Sequence, residues 1–169
     1  MDTANIIHPF PPLFDEASTT LILGSFPSVR SREAMFFYGH PQNRFWRVLA
    51  VLFRENTPAT IEEKRSLVLR HHLALWDAIH SCTITGSSDS SVKDVEPNDL
   101  SGILQGSHIK RVFCNGALSY RMYQQYIFPS TGIQATKLPS TSPANAAYSL
   151  DKLVSAWQVI LADDEKTAP

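Results

Sequence analysis

At 169 residues, 43% of them hydrophobic and 18% charged, the chain is long enough to bury one core without disulfides or metals to staple it. A formal charge of −1 and a pI near 6.6 provide no general attraction to polyanions, so any nucleic-acid contact has to come from local clustering of cations. The two cysteines, Cys82 and Cys114, stand apart from any Cys-x-x-Cys pair, which argues against a disulfide framework, a four-cysteine zinc site and a cysteine-ligated iron–sulfur cluster.

The apolar runs fall far short of a bilayer span, and no secretory leader is legible at the N-terminus. The expectation is a soluble protein of a reducing bacterial or archaeal cytoplasm, built as a single domain over 1–169. Residues 1–19, with Pro9, Pro11 and Pro12, read as a proline-rich N-terminal entry, and 163–169 as a frayed tail. The apolar run Thr20–Gly24 predicts a buried strand. Residues 25–38 read as a loop with two turns. From Pro41 the spacing of Phe45, Trp46, Val48, Leu49, Leu52 and Phe53 predicts a helix, with the proline tolerated in its first turn.

A second helix is predicted after Pro58, opened by a capping box between Thr60 and Glu63. Leu73–Ile79 reads as one strand, and the Gly/Ser-rich stretch 85–91 as a loop. Asn98 is expected to cap a short helix over 99–105. A strand over 110–114, a helix over 117–127, a strand over 134–138, a loop over 139–145 and an amphipathic helix over 146–162 complete the chain. Strands alternating with helices indicate an α/β domain with a mainly parallel sheet. Ligands bind such sheets beyond the carboxyl ends of the strands, here residues 24–28, 79–89, 115–116 and 139–145.

Two of those loops, and a string that follows the first, carry unusual sequence. The first is Gly24-Ser25-Phe26-Pro27-Ser28, followed by an aromatic segment that runs into His40-Pro41-Gln42-Asn43-Arg44-Phe45-Trp46. The last is Leu138-Pro139-Ser140-Thr141-Ser142-Pro143-Ala144-Asn145. Their order and spacing resemble the uracil-DNA glycosylase superfamily, nearest its mismatch-specific uracil-DNA glycosylase and hypoxanthine-DNA (deoxyinosine) glycosylase branches. The likeness runs from about Leu21 to Trp157, and the string at 40–46 is its most specific part.

The resemblance implies a three-layer α/β/α sandwich around a four-stranded, mainly parallel sheet, and a hydrolase that uses water and neither cofactor nor metal. It implies DNA carrying a damaged or mismatched base as the partner. The mismatch-specific branch has a catalytic Asn where this chain has Phe26; the hypoxanthine branch lacks that Asn and assigns the role to the Asn of the His-Pro-x-Asn string, here Asn43. The departure favours hypoxanthine, with uracil or xanthine as further substrates. Two other readings stay open: excision of uracil or thymine from mismatches, and a DNA-binding module without catalysis.

Cleavage of a glycosidic bond passes through an oxocarbenium-like sugar while negative charge builds on the leaving base. The site must place a water near C1′ and supply donors to that base. An Asn amide can do both, so Asn43 is the candidate catalytic residue; its alternative role is a plain helix cap. A base in a duplex has to be flipped out and read by stacking and edge contacts. The expected pocket comprises Gly24, Ser25, Phe26, Pro27, Ser28, Tyr38, His40 and Asn115, with Tyr38 as the stacking shelf and Phe37 as a further wall. Phe36 and Phe45 read as core. Asn115, ahead of Gly116, is placed to read a base edge or simply to turn the chain.

By resemblance, Ser140, Thr141, Ser142, Pro143, Ala144 and Asn145 grip phosphates and fill the gap left by the flipped nucleotide; hydroxyls and N–H groups at a helix start suit that role, as they suit a simple helix cap. Arg30, Arg32, Arg44, Arg47 and Arg54 crowd the first third as possible DNA contacts or as ordinary surface, and moderate, salt-sensitive affinity is expected. Among Asp77, Asp89 and Asp94, Asp89 in its Gly/Ser loop is the best placed as a general base, though turn formation is the commoner role. His71-His72 and His80-Ser81-Cys82 match no zinc pattern. No P-loop, dinucleotide fingerprint or nucleophile elbow is present, and no lysine stands out as a Schiff-base nucleophile, so strand cleavage is not expected. Nothing reads as an oligomerisation motif, and a monomer is expected.

Overall fold

The computed structural model describes residues 3–161; the expected frayed tail lies outside the described residues. Thr20–Gly24 (β2) forms the buried spine, every residue of it inaccessible, because its apolar run is covered on both faces. It lies between Leu73–Asp77 (β3) and Arg111–Asn115 (β6), and Ala135–Leu138 (β7) adds beyond β6, giving the order β3-β2-β6-β7 with every pairing parallel. The register pairs Gly24 with Asp77 and Asn115 with Leu138, so four strand ends meet along one edge.

Helices cover this sheet as an α/β/α sandwich. Phe45–Phe53 (α2) buries Phe45, Trp46, Val48, Leu49 and Leu52 and packs against Leu150–Trp157 (α7), where Phe45 meets the edge of Trp157 at 5.9 Å. Ile61–Arg70 (α3) packs on β3 and starts with both halves of the Thr60–Glu63 capping box in place. Ala117–Met122 (α5) follows β6 and widens into a π turn over Tyr123–Ile127 before Phe128–Thr131 (α6), where Pro129 has no N–H to continue the ladder.

Several expectations need correction. The proline-rich N-terminal entry holds a strand that was not expected: Thr3–Ile7 (β1) pairs antiparallel with Ile79–Thr85 (β4), and Lys93–Pro97 (β5) closes a second, three-stranded sheet ordered β1-β4-β5. The single strand expected over 73–79 is two strands in different sheets, parted at Ala78. There the Ala78 and Ile79 amides still donate to Gly24 O and Ser25 O, at 2.8 and 3.0 Å. Asn98 is not a helix cap. Its Nδ2 bridges this transfer, donating to Asp77 O at 2.8 Å and Ile79 O at 3.1 Å, carbonyls on either side of the break. The helix beyond it, Ser101–Gln105 (α4), is opened instead by Asp99 Oδ1, which accepts from Ser101 N–H. The loop 25–38 holds a short helix, Val29–Ala34 (α1), capped by Ser28.

Candidate active site

The four aligned strand ends open into a cleft of about 1190 Å³. That exceeds the roughly 300–1,000 Å³ of ordinary small-ligand pockets and suits a pocket continued by a groove. The residues expected in the base pocket and the last loop line it, Gly24 to Ser28, Tyr38, His40, Asn43, Asn115 and Ser140 to Asn145, whereas Arg30, Arg32, Arg44, Arg47 and Arg54 do not. Chain segments from Gly24 to Tyr148 converge here because parallel strands deliver their following loops to the same edge.

Tyr38 has φ +52, uncommon for a bulky side chain, and is held there by stacking on Phe45 with ring centroids 3.9 Å apart. Its ring is half-buried, and its hydroxyl is buried without a hydrogen bond of normal geometry. Burial, then the Asp77 charge, raise the phenol well above its ordinary pKa, against an opposing pull from the Asn115 amide. Gly24 is demanded by close approach: a Cβ there would meet Asp77 Oδ1 at 2.4 Å and the Tyr38 hydroxyl at 3.1 Å.

Asn43 lines the cleft, and its Oδ1 accepts from the Phe45 amide at 2.9 Å, which ties it to the first residue of α2 although Arg44 holds the cap position. The neighbours of Asn43 explain the rest of the string at 40–46. His40 Nδ1 accepts from Gln42 N–H at 3.1 Å, Phe45 carries Tyr38, and Trp46 Nε1 donates to Phe37 O at 3.3 Å. Arg44 reaches across to the last loop, donating to Ser142 O at 2.8 Å and Asn145 O at 3.1 Å, and to Tyr148 O. Its backbone amide donates to Thr141 O at 3.0 Å.

That last loop is braced from inside and does not start a helix. Ser149 caps α7, four residues beyond Asn145, so the helix-start argument for phosphate binding at 140–145 does not apply. The physical cause is that Arg44 and Asn145 Nδ2, which donates to Ser140 O at 3.0 Å, tie the loop's carbonyls into a compact turn. Thr141 is fully buried, and its hydroxyl accepts from Asn115 Nδ2 at 3.0 Å. Asn115 Oδ1 in turn accepts from Thr141 N–H at 3.0 Å, so Asn115 clamps this loop to β6. Pro143 and Ala144 are exposed at the rim, with Ser142 half-buried beside them.

The cations beside the cleft differ from the expected cluster. Arg32 donates to Pro27 O and Gly86 O, and Arg44 is committed to the loop, whereas Arg121 and Lys137 line the cleft. Two carboxylates also line it. Asp89 sits on the exposed rim, where partial desolvation raises its pKa against the opposing charge of Arg121. Asp77 ends β3 on the cleft floor; its side chain is 6% exposed, and its Oδ2 accepts from His8 Nε2 at 2.7 Å. Asp94, third in the earlier comparison, is not part of the lining. His8 and Lys137 escaped the sequence reading, since a lone His after β1 and a lone Lys in a strand carry no local signal.

Among the described residues no group of three or more His, Cys, Asp and Glu side chains is arranged to hold a metal ion, and no helix is long and apolar enough to cross a membrane. Phe53 stacks on His71 at 4.0 Å, and His71 pairs with Glu55, which accounts for that histidine.

Comparison with known proteins agrees with this architecture. The profile of the Uracil DNA glycosylase superfamily matches residues 11–161. A hypoxanthine DNA glycosylase of Methanosarcina acetivorans is 34% identical over 152 residues, covering 89% of this chain and 95% of that protein. A hypoxanthine DNA glycosylase of Methanosarcina barkeri is 34% identical over 150 residues, covering 88% and 93%. The solution NMR structure of a candidate uracil DNA glycosylase from Methanosarcina acetivorans superposes with a TM-score of 0.76 at 29% identity, covering 93% of this chain and all of that one. With its four-stranded parallel sheet, its cleft at the strand ends and a profile match spanning nearly the whole described chain, this protein belongs to the uracil DNA glycosylase superfamily.

Proposed function

We propose that the protein is a monofunctional DNA glycosylase that flips a deaminated base, hypoxanthine foremost, into the cleft and hydrolyses its N-glycosidic bond to leave an abasic site. Membership of the superfamily supports hydrolysis of N-glycosyl bonds in DNA. The observation that carries the choice of hypoxanthine is the pairing of Phe26 in the first loop with Asn43 in the same cleft. The loop that would otherwise supply an amide supplies a ring, and the amide comes from the start of α2.

In this reading Tyr38, fixed on Phe45, is the platform beneath the flipped base. Asn43 Oδ1 is held by the Phe45 amide, so its Nδ2 hydrogens remain to stabilise charge on the leaving base or to orient a water. Pro143 and Ala144 stand at the rim as the wedge, and Arg121 and Lys137 supply phosphate contacts.

The test uses labelled duplexes containing hypoxanthine, uracil, xanthine or a G:T mismatch, incubated with excess protein and then treated with alkali. Release of hypoxanthine ahead of the others is expected. Asn43→Asp keeps the oxygen that accepts from the Phe45 amide but removes the N–H donors; it is expected to lower the excision rate about 100-fold or more at nearly unchanged stability. Preference for G:T or G:U would move the assignment to the mismatch-specific class, and binding without release of any base would leave a DNA-binding module.

A further inference from the structure

We infer that Asp77 is a second catalytic residue, the group that takes a proton from the attacking water, and that His8 is the positioning residue that aims it. The inference rests on the glycosylase reading above. Asn43 cannot meet this need alone. Water adding to C1′ must lose a proton, and an amide whose oxygen is already held by the Phe45 N–H offers hydrogen-bond donors and no basic site.

Asp77 has the complementary chemistry. Its side chain is 6% exposed and that of His8 1%, so the pair is removed from bulk water at the floor of the cleft. A carboxylate withdrawn this far costs stability unless its oxygens are bonded. Only Oδ2 is, to His8 Nε2; no donor among the described residues reaches Oδ1. That oxygen lies against Gly24, where a Cβ would come within 2.4 Å of it, and Asp77 lines the cleft.

His8 is held as a device with one contact to make. Its amide donates to His80 O at 2.7 Å, and its ring is wedged among Phe10 at 4.5 Å, Trp76 at 4.4 Å and Phe26 at 5.9 Å. Nδ1 is buried with no partner, an uncommon state for an imidazole that serves packing alone. With its hydrogen on Nε2, the ring fixes the Asp77 rotamer and leaves Oδ1 as the acceptor. Asp89, the other acid of the lining, lacks this support because it sits on the exposed rim.

The step balances. A lone pair of the water oxygen forms the new bond to C1′ while the C1′–N bond breaks and its electron pair leaves with the base. One water proton passes to Asp77 Oδ1 and is then delivered to the base anion, restoring the carboxylate. The products are an abasic site and the neutral base.

The experiment measures single-turnover excision of hypoxanthine from duplex DNA over a range of protein concentrations. Asp77→Asn should lower the rate at saturation by about 100-fold or more, the usual scale of general-base loss, while the half-saturating concentration changes less than about threefold. His8→Phe, which fills the aromatic nest but donates nothing, should give an intermediate loss confined to the rate at saturation. Asp77→Asn acting within about threefold of wild type overturns the inference alone, whereas wild type releasing no base from any duplex overturns the glycosylase reading itself. Should the variants not fold, wild-type protein is titrated with duplexes carrying an abasic pyrrolidine (cationic at the sugar) or its neutral tetrahydrofuran counterpart. A carboxylate at C1′ predicts tighter binding of the cation by about tenfold or more, and equal binding overturns the role of Asp77.

Discussion

Arg44 offers the sharpest test of how the site is held together. Replacing it with Ala removes the donations to Ser142 O at 2.8 Å, Asn145 O at 3.1 Å and Tyr148 O, together with a long contact to Thr141 O at 3.4 Å. Hydrogen bonds to a charged group are worth about 1.5–3 kcal/mol where water is excluded. Arg44 is half-buried, so about 1 kcal/mol for each of the three shorter bonds is the better scale, and about 3 kcal/mol in all. For a chain of this length about 1 kcal/mol shifts Tm by 2–4 °C, so Arg44→Ala should melt about 6–12 °C below wild type. Amide exchange should accelerate selectively over 139–148. Arg44→Lys, with one compact cation in place of a planar fork, should recover little of the loss. If Arg44 instead served chiefly as a phosphate contact, the alanine variant would melt within about 2 °C of wild type and lose about one unit of salt slope in DNA binding. That outcome would refute the account of the loop.

Three further outcomes follow from the structure. Gly24→Ala drives a methyl group toward Asp77 Oδ1 and the Tyr38 hydroxyl; a loss of about 1–3 kcal/mol in urea unfolding and of most excision activity is expected. Thr60→Ala breaks the capping box of α3 far from the cleft, so it should cost about 1 kcal/mol in the same assay and leave excision unchanged. Burial pushes the Cys82 thiol up to about 11 and the Cys114 thiol to about 12. Above the ordinary thiol range near pH 9 the unfolded chain therefore releases protons that the native protein keeps. The contribution of these thiols to stability is complete below that pH and is lost as pH rises through about 11; denaturant melts from pH 8 to 11 should show the decline, and both cysteines should resist alkylation at pH 8 until the protein unfolds.

The sequence by itself determined the elements whose signals are local. The apolar run at β2, the 3.6-residue spacing of α2 and the Thr60–Glu63 box each specify their own hydrogen bonds within a few residues, and the structure reproduces them, except that α2 starts at Phe45 and leaves Pro41 outside its first turn. The alternation of strands and helices also located the cleft, because parallel strands send their loops to one edge. β1 and β5 were not legible. Each buries little surface and depends on pairing with β4, so its stability lies in the partner more than in its own pattern.

Tertiary structure alone decided which polar groups meet. His8 reaches Asp77 across 69 residues, and Arg44 reaches Asn145 across 101. Asn115 and Thr141 close on each other because β6 and β7 lie in register, so these two cleft residues also clamp the last loop to β6. A side chain's residue type states what bonds it can make. The partner it finds is set by strand register and packing between distant segments, and no spacing along the chain encodes that.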